Sequence, residues 1–224
     1  MVNSMLAKVF TLVNIQRWLP LRIDMDMTMQ KFKSAFPDAA KDTQVKPGTD
    51  SVVLAGGCFW CVEAVYRLLR GVHAVTPGYA GDTVDKANYK TVCTGRTRHA
   101  EAVKIEFDSQ DTTLGKLLKV FFSVAHDPTQ ADGQGNDIGP QYRSAIFYRD
   151  EPQKEIAAAY MTQLKQSGLF SQPLATTLEP LTEFFPAEAY HHNYAQENPD
   201  QPYIACVAMP KVELLRQMYP ALLK

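Results

Sequence analysis

The chain has 224 residues, 46% hydrophobic and 21% charged, which is the ordinary globular range and suits one sizeable domain with an extension. Its 23 basic and 24 acidic residues leave a net charge of -1, excluding the electrostatic footprint that nucleic acids and anionic membranes select. No run approaches the roughly 20 apolar residues of a bilayer span, and four cysteines, at 58, 61, 93 and 206, are too few for a disulfide scaffold and read as reduced thiols or catalytic groups.

Residues 1–48 read as an N-terminal extension, helical or flexible, and 49–224 as the functional domain. The stretch MLAKVFTLVNIQRWLPLRID carries Lys8, Arg17 and Arg22 with no acid before Asp24, a faint targeting pattern. Its apolar run is broken by Asn14, Gln16 and Arg17, and no small-residue cleavage site follows, so the expected location is cytoplasmic. Met5, Met25, Met27 and Met29 leave a later translation start open. The Pro-Gly and charge content of DAAKDTQVKPGTD (38–50) marks a linker.

From there the pattern tightens. Val52 to Ala55 predicts a buried strand, and after Gly56-Gly57 residues 58–70 predict a helix with Glu63, Arg67 and Arg70 as its polar stripe. GVHAVTPGYAGD predicts a strand and turn, HAEAVKIEFDSQ a strand with clean alternation, and 113–125 an amphipathic helix carrying Leu117, Leu118, Phe121 and Phe122. QYRSAIFYRD predicts a strand, 152–167 a helix, LATTLEPL a short strand, and PAEAYHHNYAQENPDQPY a segment helical in its first half. Such alternation without repeats implies one layered α/β or α+β domain.

The stretch GGCFWCVEA (56–64) carries the chemistry. A cysteine opening a helix faces unpaired backbone N–H groups and the positive end of the dipole, which favour its thiolate. A second cysteine three residues on shares its face and can close a disulfide. Cys58 therefore reads as a nucleophile with Cys61 as helper, against the plainer reading of two small buried residues; the glycine pair and the aromatic pair favour the former. A zinc site would need a second pair at suitable spacing, and Cys93, Cys206 and His191-His192 supply none. On the strand from His99, Glu101 shares a face with Val103, Ile105 and Phe107. A carboxyl so placed tends to keep its proton near neutrality, although alternation alone fits a strand-end glutamate bending into solvent equally well. Asp137, in a Gly-rich loop, and Tyr142, heading a strand face with Ser144 and Ile146, fit a polar site or a turn.

GGCFWCVEA, PGYAGD, VCTG, HAEAVKIEFD, HDPTQADGQGNDIGPQYRSAIF and EAYHHNYAQENPDQPY, in this order, resemble the peptide methionine sulfoxide reductases of the A type, from about Val52 to Lys211. The resemblance implies an α+β fold, a two-layer sandwich of mixed sheet and helices with a ferredoxin-like core. It implies reduction of the S epimer of methionine sulfoxide, free or in proteins. It makes Cys58 the nucleophile that ends as a sulfenic acid, Phe59 and Trp60 the aromatic pair around the substrate methyl, and Glu101 the proton donor. Tyr89 and Tyr142 match the tyrosines on the sulfoxide oxygen, and Asp137 a polar pocket residue.

The chain also departs from that pattern. Where many members carry a resolving cysteine this chain has Ile204, with Cys206 two residues on; two residues keep the face of a strand but move the sulfur by about 6–7 Å. Cys61, at the i+3 position, is the nearer resolving candidate, Cys206 the second, and direct reduction by an outside thiol the third. Cys93 matches a position read as structural, Arg98 replaces a frequent glycine beside the pocket, and Pro140 is unusual before QYRS. With no nucleotide loop, flavin fingerprint or metal cluster, no cofactor is expected, and electrons come by thiol exchange, with thioredoxin the implied partner of a monomeric enzyme. A thioredoxin-like oxidoreductase would share CxxC after a strand but would leave Glu101 without use; a non-catalytic binder of oxidised methionine would not need Cys58 intact.

Overall fold

The computed structural model describes residues 36–224; the targeting pattern and the alternative start sites fall before Phe36, outside the described residues. In chain order the first elements are β1 (Thr49–Gly56), α1 (Phe59–Tyr66), β2 (Val72–Ala80), α2 (Tyr89–Val92), β3 (Ala100–Asp108) and α3 (Leu114–Val120). The small ribbon β4 (Gly133–Gln134) and β5 (Asp137–Ile138) follows, then β6 (Ser144–Tyr148), α4 (Glu151–Ser167), β7 (Thr177–Pro180), β8 (Phe184–Pro186), α5 (Tyr194–Glu197) and α6 (Met209–Met218).

Alternation along β1 makes it a central strand. Val52 and Leu54 enter the large core, whereas Val53 and Ala55 join a thinner cluster with Ala80, Ala100, Ala102, Ala145 and Phe147. A strand buried on both faces needs partners on both edges, and β1 pairs antiparallel with β3 and with β6. The full order is β7-β6-β1-β3-β2-β8, antiparallel except for the parallel β6–β7 pair. The path β1-α1-β2-β3-α3-β6 with spatial order β6-β1-β3-β2 is the ferredoxin-like split βαβ arrangement, so the expected α+β fold with a mixed sheet holds. Leu117 and Leu118 of α3, Ile156 and Leu164 of α4, and Leu215 and Met218 of α6 fill the core beside Val62 and Val65 of α1.

The predicted elements differ from the observed ones mainly at their ends. Helix α1 stops at Tyr66 rather than at residue 70, because Arg70 N–H donates to Leu222 O at 2.8 Å and Lys224 N–H to Leu68 O at 3.0 Å. Its expected polar stripe is also wrong at Glu63, which is buried. The predicted helix 113–125 leaves α geometry at Val120 and finishes as a π turn, Phe121–Ala125, which sends both phenylalanines into the core. Strand β8, helix α6 and the π turn Ile204–Ala208 carry no prior expectation.

The segment marked as a linker is strapped to the helices. Phe36 is buried, Tyr160 Oη donates to Pro37 O at 2.9 Å, and Gln163 Nε2 donates to Asp38 O at 2.9 Å. The Asp42 carboxylate accepts from Gly115 N–H at 2.7 Å and from Thr113 Oγ1 at 2.6 Å. The first-turn amides of a helix have no partner of their own, so Asp42 serves as a cap supplied from about seventy residues away. Asp42→Ala should therefore cost about 1 kcal/mol of stability, read as a lower urea midpoint at unchanged slope; an unchanged midpoint would show that the strap contributes nothing.

Candidate active site

The turn between β1 and α1 sets the position of the first thiol. Gly57 has φ 86°, and a Cβ there would meet the Gln134 side chain at 2.7 Å. Gln134 cannot move aside, because its amide is clamped by Asp127: Asp127 N–H donates to Oε1 at 2.9 Å and Nε2 donates to Asp127 O at 2.7 Å. Glycine alone meets both demands. Cys58 follows as the residue before the first helical turn, with its carbonyl accepting from Cys61 N–H at 3.1 Å.

The Cys58 and Cys61 thiols act on each other's acidity, as their spacing predicts. Their acidities do not follow the expectation that the helix start favours the Cys58 thiolate. Burial pushes the Cys58 thiol well up from its ordinary value, with its contact to Cys61 and the Glu101 charge adding to the rise. The Cys61 thiol is brought down to about 7, chiefly by the hydrogen bond from Cys58. Two turns of helix offer a weak dipole, and desolvation of a buried anion outweighs it.

Glu101 resolves in favour of the inward reading. It is 1% exposed, and its Oε2 accepts from Phe59 N–H at 3.0 Å. Burial raises its carboxyl to about 8, against the lowering effect of that amide and of its hydrogen bond with the Cys58 thiol. Glu101, Cys58 and the start of α1 thus form one unit.

On the other side stands a residue that sequence reading missed. The Tyr203 hydroxyl donates to Asp137 Oδ2 at 2.5 Å and lies 3.7 Å from Cys61 Sγ, and it also contacts the Cys58 thiol. Asp137 belongs to β5, and burial raises its carboxyl. Lys211, buried on α6 with Nζ donating to Ala125 O at 2.7 Å, adds a positive charge that favours the Cys61 thiolate.

The aromatic wall is assembled from four segments. Phe59 lies 6.5 Å from Tyr89 with stacked planes and 5.0 Å from His191, and Trp60 stacks on Tyr194 at 4.0 Å and 13°. Tyr89 opens α2, where Asn88 Oδ1 accepts from Thr91 N–H at 3.0 Å, and Glu188 accepts from Tyr89 N–H and Tyr79 Oη, each at 2.9 Å. Burial raises the Tyr89 and Tyr142 hydroxyls, so both remain neutral donors. Tyr194 is fixed from α1 itself: Glu63 Oε1 accepts from the N–H of Asn193, which takes φ 57° and opens α5. His191 and Tyr194 lie in the EAYHHNY motif that carries the family resemblance, yet neither stands among the residues expected at the site.

The remaining sites are corrected or specified. Cys93 ends α2 half-buried, with the Tyr89 hydroxyl against its thiol and Glu101 acting on its charge, so it borders the site rather than sitting in remote structure. Cys206 is exposed on the π turn, whereas Ile204 is fully buried. In a helix two residues go roughly half a turn round the axis, so the strand-based expectation that they share a face fails. Arg98 extends into solvent beside Asp82, which accepts from Arg98 N–H at 2.9 Å. Pro140 opens a short 3-10 turn that leads to Tyr142, a first position that suits its fixed φ and missing N–H.

This arrangement sets a protonated carboxyl and a buried thiol, with a second thiol acting on its acidity, beside an apolar wall with hydroxyl donors. The family model described as peptide methionine sulfoxide reductase matches residues 50–222. A relative of that name from Mesorhizobium japonicum is 47% identical over 81% of this chain and 93% of its own length, and one from Thermus thermophilus is 51% identical over 76% and 96%. Among solved structures, reduced Mxr1 of Saccharomyces cerevisiae superposes with a TM-score of 0.63 at 34% identity, covering 70% of this chain and 91% of that one. Methionine sulfoxide reductase A of Corynebacterium diphtheriae gives 0.56 at 34%, covering 69% and 77%. With the family motif spanning the whole sheet and both thiols at the start of α1, the chain belongs to the peptide methionine sulfoxide reductase family.

Proposed function

We propose that this enzyme reduces methionine S-sulfoxide with Cys58 as nucleophile, Glu101 as proton donor and Cys61 as resolving thiol. The observation that carries the reading is a buried Glu101, held at about 8 by that burial, whose carboxyl accepts from the N–H of Phe59 directly beside Cys58. A sulfoxide oxygen is a poor base, and its sulfur becomes a good electrophile once that oxygen takes a proton. Glu101 gives its proton to the oxygen, and the carboxylate so formed accepts the Cys58 proton as sulfur attacks sulfur. The S–O bond of the substrate breaks as the Cys58 S–O bond forms, releasing the thioether and leaving a sulfenic acid. Keeping Cys58 as a thiol until then avoids an anion in the buried pocket.

Phe59, Trp60 and their neighbours take the apolar end of the substrate, and Tyr89 and Tyr142 donate to its oxygen. Asp137 acts through Tyr203, whose hydroxyl orients the thiol pair. Cys61, already close to ionisation at neutral pH, attacks the sulfenic sulfur and expels water. A thiol with pKa near ambient pH is the best attacker in such exchange. Cys206 is exposed instead, which suits it to relaying the disulfide outward. The disulfide is then reduced by thioredoxin. On this reading residues 49–224 are the catalytic domain of a cytoplasmic monomer, and the residues before them an extension.

Stoichiometric S-sulfoxide without reductant should yield about one methionine and a Cys58–Cys61 disulfide on peptide mapping, and Cys58→Ser should yield neither. A Cys58–Cys206 link would transfer the resolving role. Because Glu101 must carry a proton, wild-type kcat/KM should fall as pH rises through about 8. Glu101→Gln should lower the sulfoxide step by about 100-fold or more and remove that limb; an unchanged single-turnover rate would refute its role. Glu63→Ala frees Asn193 and should raise KM for sulfoxide about fivefold, with the single-turnover rate retained. Glu63→Gln, which keeps the acceptor, should restore KM, and failure to do so would mean that the clamp is not what holds Tyr194.

A further inference from the structure

The two glycines before Cys58 rest on side chains from one stretch of chain, residues 126–134. A Cβ on Gly56 would meet the His126 ring at 3.0 Å, and one on Gly57 would meet the Gln134 side chain at 2.7 Å. Both side chains are fixed. His126 Nδ1 lies 2.9 Å from Phe121 O and its Nε2 lies 2.6 Å from Ser144 Oγ; a carbonyl only accepts, so Nδ1 carries the proton and Nε2 accepts from the serine. Gln134 is buried and makes a reciprocal pair with the Asp127 backbone. That pair is itself locked, because Asp127 Oδ2 accepts from Gln130 Nε2 at 2.9 Å and Gln130 Oε1 accepts from Gly135 N–H at 2.8 Å. The stretch closes on itself around Gln134.

Gln134 belongs equally to the other side of the site. In the ribbon of β4 and β5 it stands opposite Asp137, whose Oδ2 accepts from the Tyr203 hydroxyl at 2.5 Å, and that hydroxyl lies 3.7 Å from Cys61 Sγ. A Cβ on Gly133 would meet Asp137 O at 2.8 Å, so the two sides of the ribbon are in close contact. The side chain of Gln134 therefore bears the turn that carries Cys58, while its strand partner bears the arm that reaches Cys61. Both polar atoms of its amide are engaged by Asp127.

Resting on the reductase reading, we propose that Gln134 is a positioning residue that sets Cys58 relative to Cys61 and the Tyr203 hydroxyl, and so governs both sulfoxide attack and disulfide closure. Filling the space under Gly57 does not require an amide, since an apolar side chain of the same length would do it. The amide pair adds a fixed location for that side chain, and with it a fixed location for the turn. Attack places the Cys58 sulfur against the substrate sulfur, and closure brings Cys61 onto the same atom, so one loosened turn slows both steps. A misplacement of about 1 Å at reacting atoms can cost about 100-fold. The aromatic wall hangs on other tethers, Glu188 and Glu63, so the hold on substrate is kept and the loss falls on rate.

Single turnovers on methionine S-sulfoxide separate the two steps: methionine release reports attack, and capture of the sulfenic acid by dimedone reports how long it waits for Cys61. Gln134→Met keeps the length and loses the amide. It should slow methionine release about tenfold, with half-saturation within about twofold of wild type, and raise the ratio of dimedone adduct to disulfide by about threefold or more. Combined with Tyr203→Phe, the loss should fall short of the product of the two single losses by about threefold or more, as for groups acting as a unit. Gln134→Glu keeps the acceptor for Asp127 N–H and gives up the amide donor; it should lie between, and it carries the test where the methionine variant does not fold. A lower urea midpoint with unchanged release and capture in the folded protein would overturn the proposal by leaving Gln134 a purely structural part. A raised half-saturation without loss of rate would overturn it too, as would losses that simply multiply with Tyr203→Phe. If the wild type released no methionine at all, the reductase reading itself would fail, which is a separate result.

Discussion

The joint between β3 and α1, where Glu101 accepts the Phe59 N–H at 3.0 Å, is the contact on which the site depends. The amides at a helix start need acceptors from elsewhere, and Phe59 is too deeply buried for water to supply one. A carboxyl from the neighbouring strand supplies it. The same burial makes an ionised carboxylate costly, so Glu101 retains its proton near neutrality. One oxygen can accept from the backbone while the acid proton stays available on the other. Structural support and a retained proton thus share one side chain, and the glycine turn before Cys58 brings its thiol to that side chain.

The two thiols at the start of α1, one preceding it and one in its first turn, acquire opposite tendencies from unlike surroundings. Cys58 faces the acid and a dry pocket, which hold it as a thiol, whereas Cys61 receives a hydrogen bond and the field of Lys211, which ease its ionisation. This divides the labour. On the proposed mechanism, the thiol that awaits substrate stays neutral, and the thiol that acts immediately afterwards is near ionisation. Pairs of groups driven apart by environment are how a site separates successive roles.

The central strands were legible in the sequence because a period of two is written locally: Val52, Leu54, Val103 and Ile105 declare their face without reference to the rest of the chain. The end of α1 was not, since the partners that terminate it, Leu222 and Lys224, lie some 150 residues away. Glu63 fits a solvent stripe by helical period alone, and only α5 lying over it makes it a buried clamp. Tyr203 escaped because no pattern marks it and because a π turn follows it. That turn also undid the strand reasoning that placed Cys206 on the face of Ile204. Resemblance rather than periodicity identified Tyr89, Tyr142 and Asp137, which come from separate segments and meet only in the fold.

The aromatic wall explains why so many distant segments are needed. A sulfoxide is a small group with one strongly polar oxygen between two apolar arms, so a site for it must set hydroxyl donors directly against rings. No single helix or strand can do that, because its side chains project outward from one axis and cannot close around a group from several sides. Here α1 supplies Phe59 and Trp60, α2 supplies Tyr89, the turn before β6 supplies Tyr142, and the stretch around α5 supplies His191 and Tyr194. The tethers that hold these pieces, Glu188 on Tyr89 and Glu63 on Asn193, are acidic side chains gripping backbone amides. They leave every ring free to face the substrate. A mosaic of this kind is rigid only if each tether holds, so the accuracy of the site rests as much on these carboxyls as on the residues that touch sulfur.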